Sequence, residues 1–141
     1  MSTARVLIAD DDRSIRGLLR VMAERGGLDI VEAVNGAEAI ARIRREPFDL
    51  ILLDIAMPMT NGLEVIDVIR QMRPRPAVFV LTALARAVFA ELDPAIVTCV
   101  VRKPFDAATL APLIVDIANG VHGLTNPLPL RPAPTRAPRS A

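Results

Sequence analysis

The sequence predicts an α/β fold, a (βα)5 doubly wound parallel sheet of five strands, on three observations. Four apolar runs are nearly continuous rather than alternating, as strands covered on both faces must be. Segments with apolar residues at helical spacing separate them. The connections are short, and right-handed crossovers then leave an open sheet with helices on both faces as the simplest solution.

Each element has its own justification. RVLIA (5–9) is the first strand, and Ile15, Leu18, Leu19 and Met22 fall at i, i+3, i+4 and i+7 of the helix after it. LDIVEAV (28–34) is a weaker second strand. GAEAIARIRR follows Asn35, which with Glu38 forms a variant of the capping box, and Pro47 closes that helix. DLILLD (49–54) is the third strand. GLEVIDVIRQM is apolar nearly all round, so it is expected to be well buried, ending before Pro74 and Pro76. AVFVLTA (77–83) is the fourth strand, with a helical pattern at Ala85, Val88, Phe89 and Leu92 behind it. IVTCVV (96–101) is the fifth strand. Leu110, Leu113, Ile114 and Ile117 mark the last helix. Pro112 is tolerated only in a first turn, so that helix is expected to start near Thr109, which would cap it.

Composition narrows the function. The 141 residues suit one compact domain with some chain left over, and 52% hydrophobic residues are enough for a full core. No apolar run approaches the roughly 18 residues of a membrane span, and MSTARVLIADDD turns acidic too soon for a secretory signal. A net charge of +1 favours neither nucleic acid nor membrane. Cys99, the sole cysteine, lies in an apolar run and reads as a buried, inert thiol of a cytoplasmic protein. His122, the sole histidine, reads as a solvated loop residue. One Cys and one His exclude a Cys/His zinc cluster, and the His is poorly placed for a Ser-His-Asp triad. From residue 120 to 141 the chain has five prolines after Asn126, three arginines and no acid, which reads as a disordered tail behind a folded unit of residues 1–119.

In an open α/β sheet, ligands gather beyond the carboxyl ends of the strands. Here those ends carry Asp10, Asp11 and Asp12 after the first strand, Asp54 after the third, Thr82 in the fourth and Lys103 after the fifth. Taken singly, Asp12 is a helix N-cap, Asp54 a turn residue, Thr82 a β-branched strand residue and Lys103 a solvated strand end. Taken jointly, three consecutive aspartates repel one another and call for a cation. A hard divalent ion such as Mg²⁺ prefers such oxygen ligands. Asp54 can then attack phosphorus as a carboxylate nucleophile, with Thr82 and Lys103 receiving phosphoryl oxygens. Lys103 is the only lysine beside 16 arginines. A flexible point charge pairs with a carboxylate and then follows a phosphate, where a planar guanidinium would crowd the rim.

These blocks, IADDDRSIR, DLILLDIAMPMTNG, LTA and VVRKPF, resemble the receiver domain of two-component response regulators, over roughly residues 4 to 119. The resemblance implies a flavodoxin-like fold with strand order 2-1-3-4-5. It implies Asp54 as the phosphoacceptor, Asp11 as direct metal ligand, Asp10 assisting through water, and the backbone carbonyl of Ala56 completing a Mg²⁺ site. Met57-Pro58 and Gly62 match the loop after the acceptor, and the Lys103–Pro104 bond is expected to be cis. Implied partners are a histidine kinase or histidine phosphotransfer protein, and a downstream protein docking on the fourth helix, fifth strand and fifth helix, or a phosphorelay. No nucleic acid, no membrane insertion and no catalysis beyond its own phosphorylation and slow dephosphorylation are expected. The chain departs from the family at Val100, where Tyr or Phe is usual as a rotamer switch, and in DPAIVT, which lacks the usual Gly-Ala. Ala56 and Leu84 offer no side chain to position a hydrolytic water, which implies a long-lived phosphoryl group. The alternative is a degenerate receiver acting as a phosphorylation-independent interaction module, kept open by Val100. A dehalogenase-type hydrolase would want a second Asp where Ala56 stands, and a flavodoxin-like nucleotide binder would want a Gly-rich loop where DDDR stands.

Overall fold

A computed structural model describes residues 3–57, 62–83 and 92–120. The elements are β1 (Arg5–Ala9), α1 (Arg13–Arg25), β2 (Asp29–Ala33), α2 (Gly36–Arg45), β3 (Leu50–Asp54), α3 (Gly62–Arg70), β4 (Ala77–Thr82), β5 (Cys99–Arg102) and α4 (Ala107–Ala118). The strands form one parallel sheet in the order β2-β1-β3-β4-β5. The continuous apolar runs have the expected cause. Leu50 to Leu53 and Val78 to Leu81 are all buried, because the sheet packs a core on each face. One core joins Leu7, Ile51, Leu53, Val78 and Val80 to α2 and α3. The other joins Ile8, Leu52, Phe79 and Leu81 to α1 and α4.

Local chemistry fixes the helix ends. Asp12 caps α1 by accepting from Ser14 N–H at 2.8 Å and Ile15 N–H at 3.3 Å. At the other end Gly27 has φ +82°, Leu28 N–H donates to the Ala23 carbonyl and Gly27 N–H to that of Glu24. This closing pattern needs a residue free to take positive φ. Asn35 Oδ1 accepts from Glu38 N–H, and Glu38 Oε1 accepts from Val34 N–H, each at 2.8 Å, so the capping-box variant is present.

Several expectations are corrected. The last helix starts at Ala107, not near Thr109. Asp106 is its cap, accepting from Ala108 N–H at 3.1 Å and from the Thr109 hydroxyl at 2.9 Å. Pro112 therefore lies inside the helix, exposed, and forgoes one backbone bond while Leu110, Ile114 and Ile117 stay buried. The fifth strand starts at Cys99 rather than 96, because Ile96 and Val97 N–H groups fold back onto the Asp93 carbonyl at 2.9 Å. Cys99 is half-buried, since β5 is an edge strand. Leu18 is 41% exposed, and only Leu19, Met22 and Ala23 of α1 are buried. The third helix is amphipathic rather than buried all round, with Glu64 and Asp67 exposed. The helix expected around Ala85, Val88 and Phe89, Pro58 of the post-acceptor loop, Leu84, His122 and the tail from 121 lie outside the described residues. Lys103–Pro104 is cis, as expected, and so is Arg73–Pro74. No helix among the described residues is long and apolar enough to cross a membrane.

An ion network ties α1 to β2. Glu32 receives Arg16 Nε at 2.9 Å and also Arg20. Burial pushes the Glu32 carboxyl up, but hydrogen bonds and fields from Arg20 and Arg16 outweigh it and hold it below its ordinary 4.5. A depressed carboxylate adds stability that is complete above 4.5 and is lost as pH falls through the lower folded value. Glu32→Gln is therefore expected to be less stable than the parent by roughly 0.5–1 kcal/mol near neutrality, and that gap should close in urea melts below about pH 4.

Candidate functional site

Parallel strand order sets the site before any side chain is considered. β1 lies next to β3, so the carboxyl ends of both strands meet, and β4 separates β3 from β5. Asp10 and Asp54 thus face each other, while Thr82 and Lys103 arrive from the next two strands. Asp10 and Thr82 are fully buried, Asp54 is 4% exposed and Asp11 is exposed. Carboxylate oxygens of Asp10, Asp11 and Asp54 all lie within 4.8 Å of one another.

Lys103 joins the two buried acids. Its Nζ donates to Asp10 Oδ2 at 2.8 Å and to Asp54 Oδ2 at 3.3 Å. The other oxygens have backbone donors: Asp12 N–H to Asp10 Oδ1 at 2.8 Å, and Ala56 N–H to Asp54 Oδ1 at 3.0 Å. Lys103 N–H donates to the Thr82 carbonyl at 2.8 Å, which fixes the start of the lysine's reach.

Burial, then the field of Asp10, push the Asp54 carboxyl above its ordinary 3.8, while Lys103 and the Ala56 N–H pull the other way. Burial works against the charge on Lys103, but the hydrogen bond to Asp10 and the fields of Asp54 and Asp10 raise its pKa above 10.5. Two buried carboxylates and a third beside them share one ammonium, so the pocket is short of positive charge. An all-oxygen donor set with surplus negative charge fits a hard divalent cation.

Asp10, Asp11, Asp54, Thr82 and Lys103 are all brought to this rim. Ala56 lies exposed beside Asp54, and its amide rather than its carbonyl makes the observed contact. Asp12, expected as a third rim acid, instead caps α1 and joins no carboxylate cluster among the described residues. Sequence reasoning misses Arg16, and it places Gly62 in the loop after the acceptor without its steric role. Arg16 donates from Nη1 to the Asp10 carbonyl at 3.0 Å while its Nε holds Glu32, so it braces the acidic loop against β2. Its position six residues after Asp10 was the available signal, but one arginine among 16 does not stand out. Gly62 donates its N–H to the Ile55 carbonyl at 2.9 Å, and a Cβ there would meet Ile55 Cα at 2.6 Å and the Asp54 carbonyl at 2.8 Å. Glycine at 62 lets α3 close against the turn that carries the acid.

Comparison with known proteins agrees with this geometry. The family model described as response regulator receiver domain matches residues 6–115. The chain is 47% identical over 79 residues to the transcriptional regulatory protein ResD of Bacillus subtilis (strain 168), covering 56% of this chain and 32% of ResD. It is 35% identical over 81 residues to the response regulator receiver protein CpdR of Brucella abortus (strain 2308), covering 57% of this chain and 68% of CpdR. Among solved structures, the response regulator protein TrrA of Thermotoga maritima, in complex with Mg²⁺-BeF, has 31% identity and a TM-score of 0.72, covering 82% of this chain and 99% of that one. The chain spans about a third of ResD's length.

Two outcomes are expected. Asp11→Asn should weaken Mg²⁺ binding in a titration by about tenfold, because ligand charge sets affinity at an oxygen site, and leave the far-ultraviolet dichroism unchanged. Gly62→Ala should lower the urea midpoint by the equivalent of about 1–3 kcal/mol, since the clash is with backbone that cannot swing aside.

Proposed function

The chain belongs to the response regulator receiver domain family, and on that premise we propose that Asp54 accepts a phosphoryl group from a phosphohistidine of a histidine kinase or phosphotransfer protein. The observation that supports this most is the state of Asp54. It is a nearly buried carboxylate at a strand end, held by Lys103 and the Ala56 amide, with two further carboxylates within 4.8 Å. Mg²⁺, held by Asp10, Asp11, Asp54 and the Ala56 carbonyl, would neutralise phosphoryl charge at this rim. An Asp54 oxygen forms the new O–P bond as the P–N bond of the donor breaks, and the departing imidazole takes up a proton. Lys103, already between Asp10 and Asp54, shifts its ammonium toward a phosphoryl oxygen, and the Thr82 hydroxyl receives another. Ala56 supplies no group to orient an attacking water, so the acyl phosphate is long-lived and turnover is self-limiting rather than enzymatic.

Output runs to another protein in the cytoplasm or onward along a phosphorelay, with no nucleic acid or membrane engaged by this site. The docking face is the one bearing β5 and α4. Val100 is half-buried on β5 against the core of α2 and α3, and a short β-branched chain has little rotamer freedom. The signal therefore moves through the backbone after Thr82 rather than through an aromatic ring.

Acetyl phosphate with Mg²⁺ should add one phosphoryl group to the full chain, read by intact mass, and none to Asp54→Asn. Labelling of that variant at the parent level would sink the assignment. With beryllofluoride, amide resonances of Ala83, Leu92 and Lys103 should shift. Shifts confined to Asp10, Asp11 and Asp54 would instead favour the phosphorylation-independent interaction module.

A further inference from the structure

The opposite end of the sheet holds a second feature, which the phosphoacceptor chemistry does not use. A groove of about 720 Å³ opens at the amino ends of β1, β3 and β4, between the last turn of α2 and the chain that follows α3. Its apolar lining includes Ile43, Phe48, Met72 and Pro76, and Arg44, Arg45, Arg73 and Arg75 stand exposed around it.

The charges do not cancel locally. Two acids also line the groove, Glu46 and Asp49, and both are engaged from its β1 side. Glu46 pairs with Arg5 at 2.9 Å and with Arg42 at 3.2 Å, and Asp49 accepts the Arg5 N–H at 2.8 Å. Among the described residues, none of Arg44, Arg45 and Arg75 has a carboxylate partner. Helix ends explain part of this. Arg73 donates from Nη1 to the carbonyls of Arg70 and Met72, closing α3, and Arg44 and Arg45 sit in the last turn of α2, where a positive charge offsets the dipole. Arg75 belongs to no helix, and Arg42 already serves the end of α2. Positive charge therefore remains beyond what the helix ends require.

We propose that this groove binds an acidic peptide segment of a partner protein, its carboxylates paired with Arg44, Arg45 and Arg75 and its apolar side chains against Pro47, Met72 and Pro74, which are exposed or half-buried along it. Guanidinium forks match carboxylates bidentately, and three of them around an apolar trough discriminate an acidic segment with interleaved leucines from a merely acidic one. A nucleic acid fits less well. Its bases stack on exposed aromatic faces, and Phe48, the only aromatic among the described residues lining the groove, is 9% exposed and lies under Arg5, whose guanidinium carbon is 5.3 Å from the ring centroid. Outside the 120–141 tail, 14 basic residues face 16 acidic ones, so the folded part offers no general attraction to phosphate chains.

The test uses the full chain and fluorescein-labelled probes read by anisotropy at low salt. The probes are a peptide alternating Glu with Leu, its Gln-for-Glu counterpart, and a single-stranded oligonucleotide of equal charge. Saturable binding of the acidic peptide is expected, with the Gln peptide and the oligonucleotide each weaker by about tenfold or more. Arg44→Ala/Arg45→Ala/Arg75→Ala should weaken the acidic peptide by about tenfold, a few-fold for each exposed charge, and leave acetyl phosphate labelling of Asp54 unchanged. Amide shifts on adding the peptide should fall at residues 43–49 and 72–77. The proposal is overturned if the acidic peptide fails to saturate, if the oligonucleotide binds as tightly, or if the triple variant keeps full affinity. None of these results bears on Asp54, so the groove and the phosphoacceptor site stand or fall separately.

Discussion

A single ammonium shared by two buried carboxylates constrains the rest of this molecule. Like charges about 4 Å apart repel by about 4 kcal/mol at an effective dielectric of 20. Asp10 and Asp54 nevertheless sit together out of water, with Asp11 beside them. The arrangement holds because Lys103 lies within hydrogen-bonding reach of both buried acids, and because backbone amides take their remaining oxygens. That requirement propagates. β5 is two strands away from β3, about 9–10 Å at ordinary strand spacing, so the lysine must cross the end of β4. The lysine's backbone N–H is tied to the Thr82 carbonyl at 2.8 Å as it does so. Arg16 pins the Asp10 carbonyl, and Gly62 admits α3 against the Asp54 turn. The site is a set of strand ends that tolerates few substitutions at once.

Much of this was legible in the sequence, for a physical reason. Strands buried on both faces must be apolar throughout, so DLILL and AVFVL announce themselves, and any charged residue that ends such a run lies at a sheet rim. That logic found Asp10, Asp11, Asp54, Thr82 and Lys103 without any contact being known. The errors came where local preference met tertiary demand. Pro112 disfavours a helix interior, yet Asp106 caps three turns of helix whose Leu110, Ile114 and Ile117 fill a core. Forgoing one backbone bond on an exposed side is outweighed by that burial. Leu18 fits the helical stripe, but the core on that face is filled by Leu19, Met22 and Ala23. Arg16 and the groove arginines matter through partners distant in sequence, and no spacing rule reveals those.

Val100 poses a different kind of question. It pairs with Val80 in the ladder and packs against the α2–α3 core from an edge strand. A ring at this position could swing between solvent and interior, whereas valine has one dominant rotamer and no polar tip. Val100 therefore offers no ring that could swing toward Thr82. It thus supplies no rotamer route between the acid rim and the β5 face. Any coupling between them is limited by the differential contacts a phosphoryl group makes in the two states.

The two ends of the sheet are electrically opposite, and the fold dictates it. In a parallel α/β sheet every helix runs antiparallel to the strands, so helix N-termini gather at the carboxyl rim and C-termini at the amino rim. The partial positive charge of α1 sits beside Asp10, Asp11 and its cap Asp12, and lowers the cost of holding three acids there. The partial negative charge of α2 and α3 sits beside Arg44, Arg45 and Arg73, which offset it. The acidic rim gathers more negative charge than α1 and Lys103 compensate, which is why it calls for a cation. The basic rim gathers more positive charge than its helix ends absorb, because Arg75 adds to it and the nearby acids are occupied by Arg5 and Arg42. One backbone polarity thus supports a cation-seeking pocket at one end and an anion-seeking groove at the other. Strands of four to six residues, about 13–20 Å, keep the two charge sets apart, beyond the roughly 8 Å over which physiological salt screens exposed charges. Each end can therefore bind its own ligand with little electrostatic penalty from the other.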